Sequence, residues 1–173
     1  MMQLTKTLRR FGSDRRGVAA VEMALIGTLL ATALMNVAEV SKYAYESAQL
    51  AVASQAGAQA ILGACDVAST PVTENCLAAT SAATTAIRGT SLGDRISLHG
   101  DLTEAWYCTS ANDTLTRMGG PNDPPGSCPG SAAKPALYVR VQVEFDYEPM
   151  FPGLTLAETF PDQIVKTAWM RVK

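Results

Sequence analysis

Few residues in this chain are of a type and spacing that could do chemistry, and they lie far apart. Glu22 is the one charged side chain in an apolar run, GVAAVEMALIGTLLATALMNVA, from Gly17 to Ala38. A basic segment precedes it, with Lys6, Arg9, Arg10, Arg15 and Arg16. A carboxylate at the centre of a membrane-spanning helix costs on the order of 2.5–3.5 kcal/mol. Glu22 lies only about 7 Å of helix rise from the basic end, so the cost is smaller there, and the acid either reaches back to the interface or meets a cation. If the chain is cut between Gly17 and Val18, Glu22 becomes the fifth residue. The new α-ammonium of Val18 is then available to pair with it, within one subunit or with a neighbour, neutralising two charges in lipid or between packed helices.

The other reactive groups point to crosslinks rather than catalysis. Cys65, Cys76, Cys108 and Cys128 form no C-x-x-C pair, and His99 is the single histidine, so zinc-site spacing is absent. An even cysteine count beside an export segment predicts two disulfides in an oxidising compartment. Of the three connectivities, neighbour pairing, Cys65–Cys76 and Cys108–Cys128, closes one local excursion each and is the expected one. His99 and Asp101 lie two apart, so both can share a strand face, a surface pair by chance. No G-x-S-x-G, P-loop or dinucleotide glycine pattern occurs. We therefore expect no catalytic residues, no metal and no cofactor. Asn112-Asp113-Thr114 fits a glycosylation tripeptide by coincidence.

Charge is unevenly divided. Before Val18 there are five basic residues and one acid, Asp14; of the 14 basic and 16 acidic residues in all, nine and fifteen follow. A nucleic-acid binder concentrates positive charge on its folded part, so an acidic folded part predicts no nucleic-acid partner. The 22 residues from Gly17 to Ala38 contain no proline and rise about 33 Å as a helix, matching a bilayer core. The lysines and arginines ahead of them place the N-terminus in the cytoplasm and the rest outside. The rival reading is a cleaved secretory signal with Ala31-Thr32-Ala33 as its small-residue site, releasing a secreted enzyme or binding domain. Glu22 near its start and apolar character beyond Ala33 weigh against it.

Arg15-Arg16-Gly17 followed by Val18-Ala19-Ala20-Val21-Glu22-Met23-Ala24-Leu25-Ile26 resembles a class of type IV prepilin. It is most similar to the TadE-like minor pilins, or pseudopilins, of the bacterial tight-adherence (Flp) pilus system. The likeness covers roughly residues 13–50, and Ile164–Arg171 is similar, more weakly, to the last strand of that family. The resemblance implies that a prepilin peptidase cuts between Gly17 and Val18. It implies that Glu22 guides docking into a pilus or its initiating complex. The implied partners are other pilin and pseudopilin subunits, the inner-membrane pilus assembly machinery and the lipid bilayer. The implied location is the bacterial inner membrane, single-pass, with the C-terminal part periplasmic or carried into an extracellular pilus, and the implied role is adhesion or biofilm formation. Met23 stands where major Flp pilins carry Tyr and TadE-like chains carry Phe, which argues against a major pilin. A mature length of about 156 residues argues the same way. An uncleaved, membrane-anchored scaffold protein is the alternative.

These groups need elements to position them. We expect a basic leader over 1–17, a transmembrane helix over 18–38, its continuation over 39–64 and an exported α+β domain over 65–173. Glu39–Ala64 is alanine-rich and proline-free, with Val40, Tyr43, Leu50 and Ile61 as a sparse apolar stripe ended by Gly63. Gly27/Ala31 and Ala20/Ala24 are small-xxx-small steps that let helices approach in lipid, and Asn36 either bonds across a helix pair or marks the interface. After a turn at Thr70-Pro71, Glu74–Ile87 reads as a second helix ended by Gly89, Arg95–Leu102 as a strand, and Ala105–Cys108 as its extension past a bulge or turn. Residues 109–135 read as a loop held by Cys108–Cys128. Leu137–Tyr147 alternates cleanly, and Ile164–Val172 forms the last strand. Trp106, Tyr107 and Trp169 are assigned to the core. Met150-Phe151-Pro152-Gly153-Leu154 is an apolar loop that either caps the core or meets a neighbouring pilin or the membrane surface. The expected whole is α+β: one transmembrane helix extended into a long pilin-like helix, packed on three or four antiparallel strands, with disulfides.

Overall fold

A computed structural model of the chain describes residues 15–66, 70–110, 114–130 and 133–173. The leader residues Lys6, Arg9, Arg10 and Asp14 lie outside the described residues, as do Asn112 and Asp113 of the glycosylation tripeptide. Helix α1 runs Arg15–Ala64 without interruption, a proline-free and alanine-rich stretch that tolerates its four glycines. Two short helices follow, α2 (Val72–Asn75) and α3 (Ala79–Arg88). Five strands then form one antiparallel sheet among the described residues: β1 (Ile96–Leu98), β2 (Thr103–Thr109), β3 (Leu115–Gly119), β4 (Ala136–Asp146) and β5 (Gln163–Arg171). The architecture is α+β, with a long apolar N-terminal helix, an antiparallel sheet and two disulfides.

The chain divides into two compact units. The first holds residues up to Lys42 together with Pro149–Phe160; the second holds Tyr43–Glu148 and Pro161–Lys173.

Strand β4 organises the second unit. It pairs with β2 through Thr103↔Arg140 to Tyr107↔Ala136, with β1 through Ile96↔Phe145, and along its other edge with β5 from Tyr138↔Arg171 to Asp146↔Gln163. Its alternation sends Leu137, Val139, Val141, Val143 and Phe145 inward, all at least 98% buried, and Tyr147 beside them. Burying each such side chain contributes about 1.5–3 kcal/mol. They meet Leu50, Ala53, Ala58 and Ile61 of α1 and Ala79, Ala83 and Ile87 of α3 in one core. With the buried Ser54 and Gly57 between them, spacings of three and four residues on α1 put those positions on one helix face.

Five expectations need correction. Val40 is exposed; the buried row of α1 includes the acids Glu39 and Glu46. The helix expected over Glu74–Ile87 is broken, because Cys76 takes an extended backbone (φ −114°, ψ 96°) where it bonds to Cys65. The strand expected over Arg95–Leu102 stops at Leu98, because the chain turns at Gly100 (φ +73°), a conformation glycine adopts without strain. The region expected as a loop over 109–135 contains β3, which pairs with β2 across a register shift between Trp106 and Tyr107. Trp169 is exposed, and Trp106 and Tyr107 are half-buried rather than core. Tyr107 meets Tyr138 and Trp169 edge-on, at centroid distances of 6.0 and 4.9 Å, and Arg140 stacks over Trp169 at 5.8 Å. Trp106 donates Nε1–H to the Pro121 carbonyl at 3.0 Å, the local bond a half-buried indole requires.

Candidate functional site

Within the first unit, α1 presents Gly17, Val18 and Glu22 on one continuous exposed surface. Every residue from Gly17 to Leu34 is exposed. Val18, Val21, Met23, Leu25, Ile26, Leu29, Leu30 and Leu34 are each more than half accessible. The span is long and apolar enough to cross a membrane. Its polar side chains turn back onto the helix. Thr28 Oγ1 donates to the Leu25 carbonyl, Thr32 Oγ1 to Thr28, Asn36 Nδ2 to Thr32 and Ser41 Oγ to Val37, at 2.7–2.9 Å. A helix whose hydroxyls and amide are bonded internally carries no unmet donor into hydrocarbon. Glu22 is the exception, exposed among apolar neighbours with no hydrogen-bond or ion-pair partner among the described residues. Helical spacing places Val18 one turn before Glu22 on the same face of α1.

The residues after the apolar run hold a loop that sequence reasoning found only in part. Glu39 is 1% accessible. Its carboxylate accepts from the backbone N–H of Met150, at 3.0 Å to Oε1 and 3.1 Å to Oε2, and from that of Phe151 at 3.3 Å. One helical turn earlier, Asn36 Oδ1 accepts from the Leu156 N–H at 2.8 Å. Asn36 therefore serves this unit internally with both ends of its amide. A buried carboxylate is tolerable only with such donors around it. The loop leaves Met150, Leu154 and Leu156 exposed at 52%, 65% and 64%.

In the second unit the cysteines pair Cys65–Cys76 and Cys108–Cys128, the neighbour connectivity. His99 is bonded to Glu144 and not to Asp101. Its Nδ1 pairs with Glu144 Oε2, while Ser97 Oγ donates to Glu144 Oε1 at 2.9 Å. The bonds from His99 and Ser97 hold the Glu144 carboxyl below its ordinary value of 4.5. Glu46 meets Arg95 Nη1 at 3.5 Å, and Arg95 lies over the Phe145 ring at 5.1 Å. Glu104, also buried, accepts from the Thr73 N–H and hydroxyl at 2.9 and 3.1 Å. Among the described residues no group of three or more His, Cys, Asp or Glu is placed to hold a metal ion.

Comparison with known protein families, curated proteins and solved structures found no match. Geometry and sequence pattern are therefore the grounds for a functional reading. The groups placed to act are an apolar helix surface, one acid on it, and a loop fastened where that surface ends. That arrangement can do non-covalent work: insertion, helix packing and charge pairing.

Proposed function

We propose that this chain is a minor pilin or pseudopilin that helps to assemble or initiate a tight-adherence pilus, and so contributes to adhesion or biofilm formation. In this reading it inserts in the inner membrane with its basic segment cytoplasmic, and prepilin peptidase cuts between Gly17 and Val18. The freed helix then packs among other pilin and pseudopilin subunits under the inner-membrane assembly machinery. The work is packing rather than catalysis. Glu22 offsets the α-ammonium of a neighbour's Val18, which makes docking depend on register and not on greasiness alone.

The observation that carries this reading is the bare helix surface. From Gly17 to Leu34 α1 is exposed on all sides and carries one charge, Glu22, at the fifth position after the Gly17–Val18 junction. A helix apolar all round needs lipid or other helices as its surroundings.

Intact mass and N-terminal sequencing of the membrane-extracted protein test it. A mature chain starting at Val18 is the expected result. A chain that keeps Arg15-Arg16-Gly17 supports instead an uncut membrane-anchored scaffold. Soluble protein beginning near Leu34 supports a released domain. For assembly, Glu22→Ala should insert normally and be processed yet yield few pili; wild-type piliation in that variant removes the role given to Glu22.

A further inference from the structure

We propose that the loop Pro149–Leu156 is a second membrane contact, seated in the headgroup–acyl boundary of the leaflet where the apolar helix emerges. The inference rests on the reading that α1 crosses a bilayer and adds an occupant for a surface that this reading leaves bare.

Three observations place lipid there. First, the loop is fastened at the end of the span. Asn36 and Glu39 hold the N–H groups of Leu156, Met150 and Phe151 at 2.8–3.3 Å. The exposed apolar surface of α1 reaches Leu34 and Val37, within about one helical turn of those anchors. If the bilayer core begins near Gly17, a span of about 30 Å ends at residues 36–38. Second, the loop is built for that depth. Pro149-Met150-Phe151-Pro152-Gly153-Leu154-Thr155-Leu156 contains no charged residue. Met150, Leu154 and Leu156 face outward, each more than half accessible, and so extend the apolar helix surface sideways. Amphipathic segments at the membrane surface bury their apolar side chains about 5–10 Å into this boundary. Third, the loop answers a problem at the boundary. Glu39 would otherwise bring a carboxylate to the edge of hydrocarbon, and the N–H groups of Met150 and Phe151 satisfy it. Buried polar groups on the inner side and large apolar groups on the outer side are the pattern of an interfacial anchor, and isolated surface leucines do not produce it.

The test uses the full chain reconstituted in phosphatidylcholine/phosphatidylglycerol vesicles, with bromine on the acyl chains either near the carbonyl end or near the methyl end. Tryptophan emission is compared for Leu154→Trp, Leu30→Trp and the parent, whose Trp106 and Trp169 supply the background. The expected result is that the emission added by Leu154→Trp is blue-shifted and mostly lost with shallow bromine. That added by Leu30→Trp should be lost mostly with deep bromine. Quenching of Leu30→Trp without quenching of Leu154→Trp overturns the inference and leaves the spanning helix intact. A blue shift at Leu154→Trp that neither lipid quenches means that a protein neighbour covers the loop, and this also overturns it. Absence of quenching at both positions overturns the spanning reading and the inference together.

Discussion

Two glycines on the same helix should respond in opposite directions to the same substitution. Gly57 faces the core of the second unit. A Cβ built there would lie 2.8 Å from Ile87 Cγ2, 3.5 Å from Val141 Cγ1 and 3.7 Å from the Ala83 carbonyl oxygen. Ile87 and Val141 are fully buried, and a β-branched side chain on a helix has one strongly preferred χ1, so Ile87 has little room to yield. Gly63 sits on the exposed side with nothing within 4 Å. Replacing glycine by alanine inside a helix gains up to about 1 kcal/mol from backbone entropy, and less near a helix end. Overpacking a tight core costs about 1–3 kcal/mol. Gly57→Ala should therefore lose on the order of 1 kcal/mol net, and Gly63→Ala should gain roughly 0.5 kcal/mol. For a chain of this size 1 kcal/mol moves Tm by about 2–4 °C. The assay is thermal unfolding of the full chain in detergent followed by near-UV circular dichroism, with far-UV spectra confirming equal helix content. If Gly57→Ala is as stabilising as Gly63→Ala, then α1 does not press against α3 and β4 as closely as described, and the packing argument fails.

Other outcomes can be checked in the same preparation. Replacing both members of either disulfide by alanine should cost about 3 kcal/mol in the chain-entropy model. Cys108–Cys128, which closes 20 residues against 11 for Cys65–Cys76, should cost slightly more, read as a shift in urea midpoint. Because the folded Glu144 carboxyl titrates below its unfolded value of 4.5, its contribution is fully present above that pH and lost as pH falls through the lower folded value. Glu144→Gln should therefore narrow its stability gap to the parent on acidification below pH 4.5, measured by Tm against pH; a constant gap would contradict the bond to His99 and Ser97. Glu39→Ala leaves two N–H groups of the loop without their acceptor, a loss of about 1–3 kcal/mol. Hydrogen exchange at Met150 and Phe151 should accelerate markedly in that variant and much less in Glu39→Gln, which keeps one acceptor oxygen.

Patterns that depend on local repetition were legible in the sequence. The apolar run and the alanine-rich stretch after it specify α1, and the strict alternation from Leu137 to Phe145 specifies both β4 and the face it buries. The neighbour pairing of cysteines followed from the short excursions they close. What escaped depends on partners distant in the chain. Strand β3 has only five residues, next to Gly119-Gly120-Pro121, and its pattern becomes meaningful only through β2. Glu39 and Glu46 are charged residues in a stretch chosen for its apolar stripe, yet both are buried: backbone N–H groups some 110 residues away bind the Glu39 carboxylate, and Arg95 meets one oxygen of Glu46. Trp169 reads as core by size, but the register of β5 puts it opposite Arg140 on the open face of the sheet. Asn36 gave a usable signal: a lone amide at the end of an apolar helix needs a partner, although the sequence does not say which.

The three-way pairing of β4 orders the events of folding. Chain order delivers β1, β2 and β3 before β4, so one edge of β4 finds its partners already in place. The opposite edge must wait for β5, which begins 17 positions after β4 ends. Until then a long, hydrophobic strand exposes an unpaired row of peptide groups, the kind of edge that recruits other chains. A copy truncated before Gln163 keeps that edge open and should aggregate more readily than the full chain.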